Sequence, residues 1–216
     1  MAVKEVEARR APDVEQAVLE AARDILAVGG LDALSMRSVA ERVGVSATAI
    51  YHYFENKDAL VRRVVEHGFQ RFGSYLEHAA AQHPKGSLER VRSLGEAYLT
   101  FALENQSSFR VLFGLHHGDP PRLDELPHGG GYGLLRQAVE DAMASGAMRV
   151  ANPDVMVMYL WSVTHGLLTI SLACRIDQCP EFSRDSLQVD PLELFRSFGP
   201  FVREGIAAGR GEGGGS

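Results

Sequence analysis

The sequence predicts an all-α protein: an N-terminal three-helix unit built around a helix-turn-helix, followed by a larger C-terminal helical domain. Three observations predict it. Apolar residues recur at the 3.6-residue period along most of the chain, and period-2 alternation is nearly absent. Two short periodic segments, 35–43 and 46–53, flank the single Gly44, which is the form of two helices joined by a tight turn. The second half carries a long apolar run, 155–174, free of Lys, Arg, Asp and Glu.

The elements follow in order. Val14, Val18, Ala21, Ile25 and Val28 fall at steps of 4, 3, 4 and 3, one apolar stripe. Pro12 and Asp13 suit its first turn, and Gly29-Gly30 its end. Ser35 caps a short second helix with Met36, Val39, Ala40 and Val43 on one face, broken by Gly44. Ser46 opens a third, roughly 47–53, which buries Ile50. A long fourth helix runs from 57 to 76 with Phe69, Phe72 and Leu76 inward, and 83–86 breaks the chain. Helices are expected at 88–105 and 109–115, with a Pro/Gly-rich loop at 116–131. Another runs over 132–145, ended by Gly146, and Asn152-Pro153 starts the long apolar helix. Asp190-Pro191 is a cap followed by proline at the first helical position. The last helix carries Leu194, Phe198, Phe201 and Ile206 on one face, with a kink at Gly199-Pro200. The domain boundaries expected are a flexible arm at 1–12, the helix-turn-helix domain at 13–60, the second domain at 61–208 and a disordered Gly-rich tail at 209–216.

Composition narrows the function classes. The chain is 45% hydrophobic and 23% charged, an ordinary globular balance, with a net charge of −6 that argues against a generally basic nucleic-acid coat. A small local patch remains compatible with it. The only cysteines, Cys174 and Cys179, are too few for a disulfide scaffold and fit a reducing cytoplasm. Their C-x4-C spacing lacks a second pair, and the His116-His117-Gly118-Asp119 run lacks further ligands nearby, so no metal or cofactor is expected. The 155–174 run is long enough to span a bilayer, yet it holds Ser162, Thr164, His165 and Thr169 and no basic cluster flanks it; a buried or dimer-interface helix, and no membrane, is expected. No G-x-S-x-G, H-E-x-x-H or phosphate loop occurs, so no enzyme is expected. The rival classes are a small helical enzyme and a membrane-anchored interaction protein.

The segment around Ile50 has the chemistry of DNA reading. One side of such a helix must be apolar to sit on its partner, and the other polar and slim enough for the major groove. Ala47, Thr48, Ala49, Tyr51, His52 and Tyr53 supply that second face, and none is acidic. Arg37 and Lys57 flank it and suit phosphates. Arg9 and Arg10 read equally as a DNA-reaching arm or a solvated tail.

The run Gly30-Leu31-Asp32-Ala33-Leu34-Ser35-Met36-Arg37-Ser38-Val39-Ala40-Glu41-Arg42-Val43-Gly44-Val45-Ser46, with Ile50-Tyr51-His52-Tyr53-Phe54 and Asn56-Lys57-Asp58-Ala59-Leu60, resembles the N-terminal domain of the TetR family of regulators over residues 14–65. The resemblance implies major-groove contacts from Ala47, Thr48, Ala49, Tyr51, His52 and Tyr53, and phosphate contacts from Arg37, Tyr51 and Lys57. Thr48 stands where the family often has Gly or Pro, Ile50 replaces a usual Leu and Tyr53 a usual His, so the operator sequence does not transfer. The stretch from Gly146-Ala147-Met148-Arg149 to Trp161-Ser162-Val163-Thr164-His165-Gly166-Leu167 resembles the family branch named for its Trp-His-Gly motif.

Together these imply a cytoplasmic regulator, most simply a repressor, of a double-stranded operator, homodimeric through its last two helices and answering a small, mostly apolar effector. An activator, or a regulator controlled by a protein partner, is the alternative. Residues for a ligand pocket are Tyr98, Phe101, Phe109, Phe113, Trp161 and His165, although aromatic residues at helical spacing are usually core and Trp161 and His165 have an equally plain structural reading.

Overall fold

A computed structural model describes residues 11–114, 131–173 and 190–206. Every regular element among them is a helix: α1 (Ala11–Ala33), α2 (Met36–Val43), α3 (Ala47–Tyr51), α4 (Lys57–Ala81), α5 (Leu88–Glu104), α6 (Gln106–Gly114), α7 (Tyr132–Ala144), α8 (Pro153–Ala173), α9 (Pro191–Ser197) and α10 (Gly199–Ile206). Arg9, Arg10, Cys174, Cys179, the histidine run at 116–117, Asp119, His128 and the Gly-rich tail lie outside the described residues.

The described residues form two compact units, 11–69 with 105–114 and 70–104 with 131–173 and 190–206. In the first, α1 packs against α2 and α6, and α2 against α3. Its core joins Val18, Ala22 and Leu26 of α1 to Val39, Ile50, Leu60 and Val111. The buried face of α1 is wider than the expected stripe: Val18 and Ala21 are buried and Val14 and Ile25 pack on the core as expected, Leu19, Ala22 and Leu26 are buried beside them, and only Val28, 89% exposed, departs from it. Val28 sits at the edge of that face, on the side away from Leu19 and Leu26, and the helix is interrupted two residues later at Gly30 (φ 66°, ψ −163°), a conformation that only glycine adopts without strain.

The expected division at residue 60 also shifts. α6 joins the N-terminal unit, because Phe109, Val111 and Leu112 are buried there. Leu112 lies so close to Gly68 that an added Cβ there would sit 2.9 Å from its side chain. Phe113 meets Phe69 edge-on at 6.1 Å and Phe109 at 4.8 Å.

In the second unit α5, α7 and α8 pack on one another, and α9 lies on α5 and α8. Phe72, Leu76, Leu94, Leu99, Val139 and Leu168 are buried. The expected last helix is two: α9, capped by Asp190 with Pro191 at its first turn, ends at Phe198, and α10 starts at Gly199. In α8 the stretch Pro153–Leu172 is long and apolar enough to cross a membrane. One face of it is buried within the chain and the other is exposed and also apolar: Met156, Val157, Thr164, Leu167 and Leu168 are buried, while Val155, Met158, Tyr159 and Ile170 are exposed.

Candidate DNA-reading surface and ligand cavity

α2 and α3 owe their positions to local chemistry. The Ser35 hydroxyl accepts from the Ser38 N–H at 3.0 Å while Ser38 Oγ accepts from the Ser35 N–H at 2.9 Å, a reciprocal cap. Gly44 ends α2 at φ 80°, its N–H donating to the Ala40 carbonyl, and sets the tight turn. Ser46 then caps α3 by accepting from the Ala49 N–H at 3.1 Å. A five-residue helix has no stability of its own; Ile50, fully buried, pins it to the core.

That pinning turns the rest of α3 outward. Thr48 and Tyr51 are exposed, and Ala47 and Ala49 half-buried. The helix is shorter than the sequence suggests: it closes at Tyr51, and His52 and Tyr53 lie exposed on the following turn, closed by the Tyr53 N–H donating to the Ile50 carbonyl at 2.9 Å. The face expected to read DNA is therefore one helical turn plus a turn of chain. Arg37 stands exposed on α2, its guanidinium paired with Glu41 at 2.9 Å. Lys57 is half-buried, and its ammonium donates to the Leu31 carbonyl at 2.5 Å. That tether at the C-terminal end of α1 was not legible in the sequence, because the two residues are 26 positions apart.

The second unit encloses a cavity of ≈ 400 Å³, within the range of small-molecule sites. Its wall is mainly apolar, with Phe72, Leu76, Leu94, Leu135, Val157 and Leu160 on it. Two of the six residues expected for a pocket, Tyr98 and Trp161, line it. His165 stands behind Tyr98, with 2.7 Å between Tyr98 Oη and His165 Nδ1. Phe101 does not reach the cavity; it is fully buried against Phe72 at 5.1 Å and Tyr75 at 5.4 Å. Phe109 and Phe113 belong to the other unit, carried there by α6. Helical aromatic spacing marked all three as buried without saying against what.

Residues that the sequence reading missed complete the wall. Phe195 enters from α9 and lies so close to Gly95 that a Cβ there would be 2.4 Å from its ring. Arg92 and Arg196 line the cavity and share Glu96, at 3.2 and 3.4 Å. Gly131 (φ 85°) leaves room for Leu76, 2.6 Å from where its Cβ would be. Tyr132 donates to Asp154, which also takes a 2.8 Å bond from Arg136 and so ties the start of α7 to that of α8. The Tyr132 phenol and the Arg136 guanidinium hold the Asp154 carboxyl below its usual range.

Proton positions in the Trp161–Tyr98–His165 row follow from donor chemistry. Trp161 Nε1 only donates, at 3.5 Å to Tyr98 Oη. Burial pushes the Tyr98 phenol well above its ordinary value, so it keeps its one proton. Burial also lowers His165 from 6.5, favouring neutral imidazole with Nδ1 as acceptor. The sign of the linkage is set by this lowering. Below about 6.5 the unfolded chain binds a proton at residue 165 that the folded chain resists. Stability contributed here is whole above that value and declines as pH falls. The difference in thermal midpoint between the protein and His165→Gln should therefore change between pH 7 and pH 5, with the unsubstituted protein losing more; equal slopes would contradict a neutral His165.

A helix-turn-helix with an acid-free outer face, carried on the same chain as a helical unit with an apolar cavity, has the form of a DNA-binding regulator. Residues 18–64 match the family of bacterial regulatory proteins called tetR, and 91–189 match a tetracyclin repressor-like C-terminal domain. The chain belongs to the TetR family of DNA-binding transcriptional regulators. The C-terminal match supports the family and not the Trp-His-Gly branch. An uncharacterized HTH-type transcriptional regulator of Haemophilus influenzae is 31% identical over 93 residues, 43% of this chain; the match spans 49% of that relative's length. Over the whole fold, a protein of unknown function from Rhodococcus sp. RHA1 superposes with a TM-score of 0.73 at 23% identity, covering 93% of this chain and 99% of that one. A TetR family transcription regulator from Marinobacter aquaeolei VT8 does so with 0.68 at 18%, covering 90% and 96%.

Proposed function

We propose that the protein is a cytoplasmic, homodimeric repressor that holds a palindromic operator and releases it when a small, mostly apolar molecule fills the cavity. The observation that carries the reading is one chain pairing the exposed face of α3, fixed by Ile50, with the cavity of a separate unit. The exposed face of α8, with Val155 at 66% and Ile170 at 54%, together with Phe201 of α10 at 75%, is apolar surface suited to a second copy of the chain. Such a dimer presents two α3 helices to half-sites about 34–36 Å apart. The ligand acts by binding one conformer better than the other; a hundredfold loss of operator affinity requires about 2.7 kcal/mol of coupling.

Selection of tight-binding duplexes from a random pool tests the reading. An inverted repeat bound by an even number of chains is expected. Recovery of no motif at low and moderate salt would end it. On the selected operator, Arg37→Ala should weaken binding to all sequences alike and reduce the salt slope by about 1, whereas Thr48→Ala should change which base pairs are preferred. Arg37 is exposed, so its loss leaves the fold intact; a change of sequence preference in Arg37→Ala would remove it from the phosphate contacts.

A further inference from the structure

The cavity wall carries one hydrogen-bond donor whose partner is poorly placed. Trp161 Nε1–H reaches Tyr98 Oη only at 3.5 Å, beyond the usual 2.7–3.2 Å for N–H···O. The other polar groups nearby have committed their protons: Tyr98 donates to His165 at 2.7 Å, and the Thr164 hydroxyl to the Leu160 carbonyl at 2.9 Å. The charged groups are matched among themselves. Arg92 and Arg196 share Glu96, which lies outside the lining, Glu89 puts a carboxylate in the lining itself, and both arginine side chains are about half exposed. The Tyr132 phenol has likewise committed its proton, to Asp154, and the remaining wall is mainly hydrocarbon, where an ionised group loses its hydration without compensation.

We propose that the cavity takes an uncharged, largely apolar molecule bearing a hydrogen-bond-accepting oxygen, and that Trp161 Nε1–H is the donor that reads this oxygen. The proposal rests on the cavity being the effector site and adds the chemical class and the residue that selects it. Tyr98 and His165 are positioning residues. Their bond fixes the Tyr98 ring, with the Tyr98–His165 ring centroids 6.2 Å apart and nearly perpendicular, and so holds the wall against which the indole stands.

The test uses the full chain without DNA and three probes of one carbon skeleton: cyclododecanone, cyclododecane and cyclododecanecarboxylate. Calorimetric titration should rank the ketone tightest, about tenfold above the hydrocarbon, the worth of one hydrogen bond, with the carboxylate weakest. Trp161→Phe should bring the ketone down to the hydrocarbon. Trp161 is the sole tryptophan, so the ¹⁵N-labelled, unsubstituted protein has a single indole N–H resonance. It should move downfield with the ketone and not with the hydrocarbon, and this readout needs no variant to fold. A tightest carboxylate, equal binding of ketone and hydrocarbon, no binding by any probe, or an unmoved indole resonance would each overturn the proposal. A ketone that binds as expected yet leaves operator affinity unchanged would count against release by the ligand, and not against this assignment.

Discussion

Tyr159→Glu is expected to turn the protein into a monomer and to cost 10²–10⁴-fold in operator affinity. Tyr159 lies on the outer face of α8, 46% exposed within one chain, so the substitution leaves intrachain packing nearly untouched, within about 0.5 kcal/mol. In a dimer formed through that face, the carboxylate would be set against the partner's apolar side chains. Burying an unpaired charge there is far costlier than a hydrogen bond can offset. The DNA effect follows from linkage of two half-site contacts: joining them multiplies affinity by 10²–10⁴, and separation removes that factor. Light scattering reads the mass and a fluorescent duplex the affinity. A dimer that survives at micromolar concentration would place the interface elsewhere, and Ile170→Glu, about three turns further along the same helix, should then be equally silent.

Ile50→Ala is expected to abolish tight operator binding while leaving the cavity's affinity for its ligand unchanged. The side chain is fully buried in the cluster of Val18, Leu26, Val39 and Leu60. Removing its methyl groups should cost about 2–5 kcal/mol, a large share of the 5–15 kcal/mol that holds a typical domain together. The loss falls on α3, which has one turn of helix and few other anchors. Amide exchange should therefore quicken at Ala49, Tyr53 and Phe54, whose N–H groups close that turn, and stay slow through the buried part of α8. Lost DNA binding with unchanged exchange at these amides would mean that Ile50 acts on DNA directly.

What was legible in the sequence divides along the range of the interactions. The cap at Ser35, the left-handed Gly44, the cap at Ser46 and the burial of Ile50 are all set within a few residues, and each stands where the pattern puts it. The same holds for Asp190-Pro191. On α1 the expected stripe holds at Val18 and Ala21, but a second apolar stripe runs beside it. Only its partners, α2 and α6, decide that Leu19, Ala22 and Leu26 also face inward and Val28 does not. Phe195 was missed for a similar reason: the face drawn through Leu194 and Phe198 passes beside it, and only the packing of α9 on α5 and α8 brings its ring to Gly95. Of the pocket residues, Tyr98 and Trp161 reach the cavity, while α6 takes Phe109 and Phe113 to the other unit, a long-range packing outcome that no local signal announces.

The bond from Lys57 to the Leu31 carbonyl bears on association as well as folding. A free lysine side chain carries about 2 kcal/mol of rotamer entropy, which is ordinarily surrendered when it clamps a phosphate. Here the ammonium is already fixed at the end of its stem, with two N–H groups beyond the one that Leu31 receives. The ordering is completed as the chain folds, so the phosphate contact proposed for this residue would start from a cation already in place. That proposed contact then carries a smaller entropic penalty than one made by an untethered surface lysine.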